Sequence, residues 1–160
     1  MNKRLAAVFC TYNRAERLPQ LVAGLRGQNC PIPFEILVVD NNSSDATQDV
    51  LDRLKRQDGP PLLYVHEPKQ GIPFARNRAI EECLAMEFKF MLFIDDDESP
   101  RPGLLAAAVD ALDREDAECV GGRVDIVFAP GQRPLWLADE LLGFLAEIDY
   151  GNDAFWITDR

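Results

Sequence analysis

Histidine occurs once in this chain, at His66. A serine–histidine–aspartate relay would have to use that residue, and no partner spacing supports one, so His66 reads as a loop residue. Cysteine is sparse too. Cys10, Cys30, Cys83 and Cys119 contain no C-x-x-C pair, which argues against a zinc cluster and against a dithiol redox motif. They read as buried or neutral thiols of a reducing compartment. Positive charge is short: 17 Lys and Arg stand against 27 Asp and Glu, a formal net charge of −10. That argues against a nucleic-acid partner, which would need a clustered basic face, and against simple electrostatic docking on an anionic membrane. An anionic small ligand stays open, because a bound cation inverts the local field. Long apolar runs are missing as well. Leu5–Cys10 and Phe90–Ile94 fall far short of the ~20 residues that span a bilayer. Lys3 and Arg4 ahead of an apolar stretch imitate a signal peptide, but the polar Thr11–Arg14 ends it too early. The expectation is a cytoplasmic protein with no transmembrane segment, peripheral at most on the inner face of the membrane.

What remains is the composition of one globular domain. The 160 residues are 47% hydrophobic, and a chain of this size buries roughly 68–70% of its unfolded surface. Four apolar runs, Leu5–Cys10, Ile36–Val39, Leu62–Val65 and Phe90–Ile94, do not alternate with polar residues. Continuous runs of this kind suit strands covered on both faces, as in a parallel sheet. Helical spacing lies between them. Leu18, Leu21, Val22 and Leu25 form one stripe; Ala46, Val50, Leu51 and Leu54 a second; Ala79, Ile80, Cys83 and Leu84 a third; Leu104, Leu105, Ala108, Val109 and Leu112 a fourth, opened by Pro102 and Gly103. Ser43, Ser44 or Asp45 would cap the second. The alternation predicts an α/β fold, a doubly wound parallel sheet between helical layers. Further strands are expected at Glu118–Gly121 and Arg123–Phe128, and a last amphipathic helix on Leu137, Leu141, Leu142 and Leu145.

In such sheets ligands bind beyond the carboxyl ends of the strands. The first run exits into Thr11, Tyr12, Asn13 and Arg14, the second into Asp40, Asn41 and Asn42, the fourth into Asp95, Asp96, Asp97 and Glu98. Parallel strands bring these exits to one edge. Four adjacent acids repel one another, and a hard cation such as magnesium or manganese would offset that while taking phosphate oxygens as further ligands. The alternative for the run is a solvated loop, or a helix cap by Asp97 or Glu98. Asp40 suits a base or ribose contact, or a cap of its own turn, and Asp45 a helix cap. After the third run, Gly71 supplies a turn and a helix begins near Pro73. One of Arg76 and Arg78 then points toward the acids or a phosphate, with Arg78 better read as surface.

These pieces together resemble the family 2 glycosyltransferases. The resemblance rests on Cys10–Arg14, Val38–Asp45, Gly71–Asn77, Phe93–Asp97 and Val120–Arg123 in this order and spacing, and covers essentially the whole chain. It implies a Rossmann-like, three-layer GT-A-type fold with a mostly parallel sheet. Residues 1–128 would form the nucleotide-sugar-binding core and 129–160 the start of an incomplete acceptor-side region. It further implies a transferase moving sugar from a nucleoside-diphosphate-sugar donor to a saccharide, lipid or protein acceptor, with inversion, in cell-envelope polysaccharide synthesis. Thr11, Tyr12, Asn13, Arg14, Asp40, Asn42, Arg76, Asp95 and Asp96 would meet the donor nucleotide. Asp97, within a D-x-D-type motif, would hold Mn2+ or Mg2+ on the diphosphate. The family's general base comes from a later segment, so here it is expected beyond Arg160. None of Asp125, Asp139, Glu140, Glu147, Asp149, Asp153 and Asp159 matches it. A donor-binding module without turnover is the main competing reading. A nucleotidyltransferase would want a glycine-rich loop after the first strand, and a receiver domain would want acids there; Cys10–Arg14 offers neither.

Overall fold

The computed structural model describes residues 3–151 and 155–156. Its four apolar runs form strands β1 (Leu5–Thr11), β2 (Phe34–Asp40), β3 (Leu62–His66) and β4 (Phe90–Phe93). They make one parallel sheet in the order β3-β2-β1-β4. Helices α1 (Leu18–Arg26), α2 (Thr47–Lys55), α3 (Ile72–Ala85) and α4 (Leu104–Glu115) connect and follow the strands. The order reverses at β1, which pairs with β2 on one side and β4 on the other. This is the switch point at which open α/β sheets bind ligands.

Both faces of the sheet are covered, which explains the unbroken apolar runs. On one face Leu5, Ala7 and Phe9 of β1 and Ile36 and Val38 of β2 pack beneath α1, α2 and α4, through Leu18, Val22, Leu51, Leu105 and their neighbours. On the other, Ala6, Val8, Leu37 and Val39 meet α3. The two sets alternate along each strand because successive side chains point to opposite faces.

The α3 stripe differs from the expected one. Ala75, Ala79 and Cys83 face the sheet, while Ile80 and Leu84 are exposed. Small side chains at helical spacing let the helix approach the strands closely, so the larger residues turn outward. On α2, Thr47 rather than Ala46 completes the buried stripe, and Ala46 occupies the cap position. His66 is the last residue of β3, paired in register with Asp40, and not a loop residue.

The stretch after α4 departs most. Glu118–Gly121 and Arg123–Phe128 are not strands. Only Val124 pairs, in a single antiparallel bridge with Ile148, and Val120 and Val127 are exposed. A buried strand needs partners along its length and cover on both faces, and among the described residues this stretch has one bridge and is at most half-buried. The expected late helix is a 3-10 helix at Asp139–Leu145. Leu137 and Leu142 are buried but Leu141 and Leu145 are not. Gly143 weakens an α-helix, and Ala146 in the left-handed region ends this one.

Candidate functional site

Thr11 ends β1 and stands in register with Asp40 at the end of β2. Both are almost wholly buried. On the other side of β1, the Ile94 N–H donates to the Val8 carbonyl, so the chain leaves β4 beside the end of β1. The Thr11 hydroxyl then donates to Asp96 Oδ2 at 2.8 Å. Three strand ends are thus joined in a row: Asp40, Thr11, Asp96. A hydrogen bond to a charged group is worth about 1.5–3 kcal/mol. Thr11→Val, equal in shape, should lower stability by about that amount in urea unfolding; an unchanged midpoint would show that the bond contributes nothing in solution.

Asp40 is held from two sides. Its Oδ1 accepts from the Ser43 N–H at 3.0 Å, which closes the turn after β2. Its Oδ2 accepts from the Tyr64 hydroxyl, 3.2 Å away on β3. Burial, reinforced by the negative charge of Asp40 and by this bond, pushes the Tyr64 phenol up to about 12. A phenol better bound when protonated adds stability that is fully present below its ordinary value near 10 and is lost as pH rises from there to about 12. Tyr64→Phe should remove that alkaline loss, measured as the slope of unfolding free energy against pH across this window. An identical slope in both proteins would show that this setting does not hold the Tyr64 phenol protonated.

The loop after β1 is knit to the loop after β2 by Asn13. Its Oδ1 accepts from the Ser44 and Asp45 N–H groups at 2.8 and 3.3 Å, and its own N–H donates to Ser43 Oγ at 2.9 Å. Asn13 has φ +52, a left-handed conformation that asparagine tolerates. Asp45 spans both loops, taking the Ala15 N–H on one oxygen and the Thr47 N–H on the other. Arg14 contributes its carbonyl to a turn with the Arg17 N–H. Tyr12 and Asn42 are exposed on the same two loops, Asn42 with φ +66.

The acidic run lies in the turn after β4. Asp95 Oδ1 accepts from Arg76 of α3 at 3.0 Å, and the Arg76 guanidinium also sits over the Phe93 ring, 5.3 Å from its centroid. Arg78 instead pairs with Glu82 along the helix. Glu98 Oε2 accepts from the Asp95 N–H at 3.0 Å, so Glu98 braces the run. It does not cap α4, which begins behind Gly103. Asp97 is exposed and has no hydrogen bond or ion pair among the described residues. Asp96, Asp97, Glu98 and Ser99 line a shallow hollow of about 180 Å³ with Arg17, Gln20 and Leu21 of the α1 end.

Among the described residues, no three His, Cys, Asp or Glu side chains gather around one point. The donor set still fits a hard divalent ion, because such ions commonly take one or two carboxylates and fill their shell with water and phosphate oxygens. The exposed Asp97 carboxylate offers that kind of ligand. Cys10 lies near Arg76, Asp95 and Asp96, and burial pushes its thiol up to about 11. Burial thus disfavours the thiolate form of this cysteine.

The sequence gives no sign of Tyr64 as a site residue, and of Asn41 only its place at the exit of the second run. Their place follows from strand register and from the turn that crosses above β2, neither of which a single strand's pattern displays.

The fold has counterparts among known proteins. Residues 6–152 match the profile described as Glycosyl transferase family 2. The chain belongs to this family. It is 27% identical over 128 residues to the glycosyltransferase AglE of Haloferax volcanii, covering 79% of this chain and 41% of that protein. It is 28% identical over 130 residues to the succinoglycan biosynthesis protein ExoM of Rhizobium meliloti, covering 80% and 40%. This family 2 chain thus spans about two fifths of the length of these curated relatives. Among solved structures it resembles residues 1–349 of S. aureus TarS (TM-score 0.62, 25% identity, 71% of this chain and 33% of that one). It also resembles the mannosyltransferase PcManGT of Pyrobaculum calidifontis in complex with GDP-Man and Mn2+ (TM-score 0.58, 25% identity, 70% and 33%). The four-stranded parallel sheet between helices is the α/β fold of these glycosyltransferases. No helix among the described residues is long and apolar enough to cross a membrane.

Proposed function

We propose that this family 2 chain binds a nucleoside-diphosphate sugar, with Mn2+ or Mg2+, at the carboxyl edge of its sheet. There it serves transfer of the sugar to an acceptor hydroxyl, with inversion. One observation carries the reading: Asp40, Thr11 and Asp96 stand joined at the ends of three neighbouring strands, and Asp97 follows with an open carboxylate. The neighbours' ligands support it, since TarS has been solved with UDP and PcManGT with GDP-Man and Mn2+.

In this reading Asp40, fixed by Ser43 and Tyr64, takes the base, and Tyr12, Asn13, Arg14 and Asn42 border the nucleotide. Thr11 holds Asp96 toward the ribose. Asp97 would hold the ion, whose chemistry when bound is to stabilise charge on the departing diphosphate. Arg76 exchanges Asp95 for a phosphate oxygen as the donor enters. Residues 129–160 open the acceptor side. Asp125, Asp139 and Asp149 already carry arginine partners: Arg101 and Arg123 for Asp125, Arg133 for Asp139 and Arg123 for Asp149. With their oxygens engaged in this way, none of these three is assigned as the proton acceptor. The acceptor proposed is a saccharide, lipid or protein of the cell envelope, with work at the inner face of the membrane.

The test is a donor screen. The chain is titrated with UDP-sugars and GDP-sugars in the presence of Mn2+. Saturable binding of one base class supports the reading, and binding of neither contradicts it.

A further inference from the structure

Asn41 follows Asp40 directly and is 6% exposed. It reaches across to the turn between β3 and α3. Its Nδ2 donates to the Glu67 and Lys69 carbonyls at 3.3 and 2.8 Å, and its Oδ1 accepts from the Gly71 N–H at 2.7 Å. A carboxamide has two N–H donors and a carbonyl acceptor, and here both kinds are used on one short turn. Gly71 caps α3 with φ +136, a conformation strained for other residues. Its carbonyl accepts from the Phe74 and Ala75 N–H groups. Asn41 therefore holds the residue from which the first turn of α3 is built, and Arg76 lies in the next turn, against Asp95.

We propose that Asn41 is a positioning residue for Arg76: it clamps the turn from Glu67 to Gly71 and so aims the guanidinium at the donor diphosphate. The inference rests on the reading that Arg76 meets that diphosphate. It also accounts for an amide at this position beside an acid. Asp at position 41 would keep the bond from the Gly71 N–H but set a carboxylate against two carbonyl oxygens.

Two measurements test it. The first is a double-mutant cycle on Mn2+-dependent binding of UDP and GDP, with wild type, Asn41→Ala, Arg76→Ala and the double variant. Asn41→Ala should weaken binding about tenfold in the wild-type background and less than about twofold when Arg76 is absent, because coupled residues are non-additive. An equal loss in both backgrounds, or no loss in either, overturns the proposal. The second is amide hydrogen exchange of Asn41→Asp and Asn41→Ala without ligand. Faster exchange confined to residues 67–76 supports the clamp. A uniform rise across the sheet, or no rise, overturns it. If the wild type binds neither UDP nor GDP, the donor reading fails on that result, and the exchange measurement still decides the clamp by itself.

Discussion

Asp97→Ala is expected to weaken Mn2+-dependent nucleoside-diphosphate binding by about a hundredfold or more, with almost no change in folding stability. The ion would stand between a carboxylate and a diphosphate that otherwise repel, and a hundredfold loss corresponds to about 3 kcal/mol at about 1.4 kcal/mol per tenfold in affinity. The structure explains the other half of the expectation. Asp97 is exposed and bonds to none of the described residues, and surface substitutions of that kind stay within about ±0.5 kcal/mol. Its neighbours should behave differently. Asp96 takes the buried Thr11 hydroxyl and Asp95 takes Arg76, so replacing either disturbs the apo protein as well. Calorimetric titration beside a thermal melt separates the cases. Wild-type affinity in Asp97→Ala would remove the metal ligand from this position.

Phe9→Ala should have the largest effect on the fold. Phe9 lies fully buried in β1, the strand that pairs with both β2 and β4, beneath the layer of α1, α2 and α4. Truncating a core phenylalanine costs about 3–5 kcal/mol out of a total of about 5–15 kcal/mol. The melting temperature should fall by about 6–20 °C, at about 2–4 °C per kcal/mol for a chain of this length. Binding should weaken with it, since Thr11 sits two residues further along the same strand. A fall under about 3 °C would mean that neighbouring side chains refill the space, and that the site does not depend on the packing beneath it.

The strands were legible because both faces of the sheet are covered. Leu5–Cys10 and Ile36–Val39 are unbroken apolar runs, and each proved to be a central strand. The parallel order then followed from the helical stripes between them, and with it the convergence of Thr11, Asp40 and Asp96. Legibility failed where tertiary partners decide the outcome. Arg123–Phe128 has the composition of a strand, but among the described residues only Val124 finds a partner, at Ile148. The Leu137–Leu145 stripe has helical spacing, but with Leu141 and Leu145 exposed nothing rewards a full α-helix over a 3-10 turn. On α3, Ile80 and Leu84 were more hydrophobic than Ala75 and Ala79, and it was size that set which face closed on the sheet. Tyr64 and Asn41 were hidden for a related reason. Their roles lie in the register of β2 against β3 and in one turn crossing above it, and neither leaves a periodic trace in the sequence.

The central claim is a cation-bridged nucleoside diphosphate at the carboxyl edge of this sheet. The most direct measurement is calorimetric titration of the wild-type chain with UDP and with GDP in Mn2+, repeated after chelation and with Asp97→Ala. Saturable binding of at least one nucleotide, lost on chelation and in the variant, is the predicted result. Binding of neither nucleotide in Mn2+, or an affinity that chelation leaves unchanged, would contradict it.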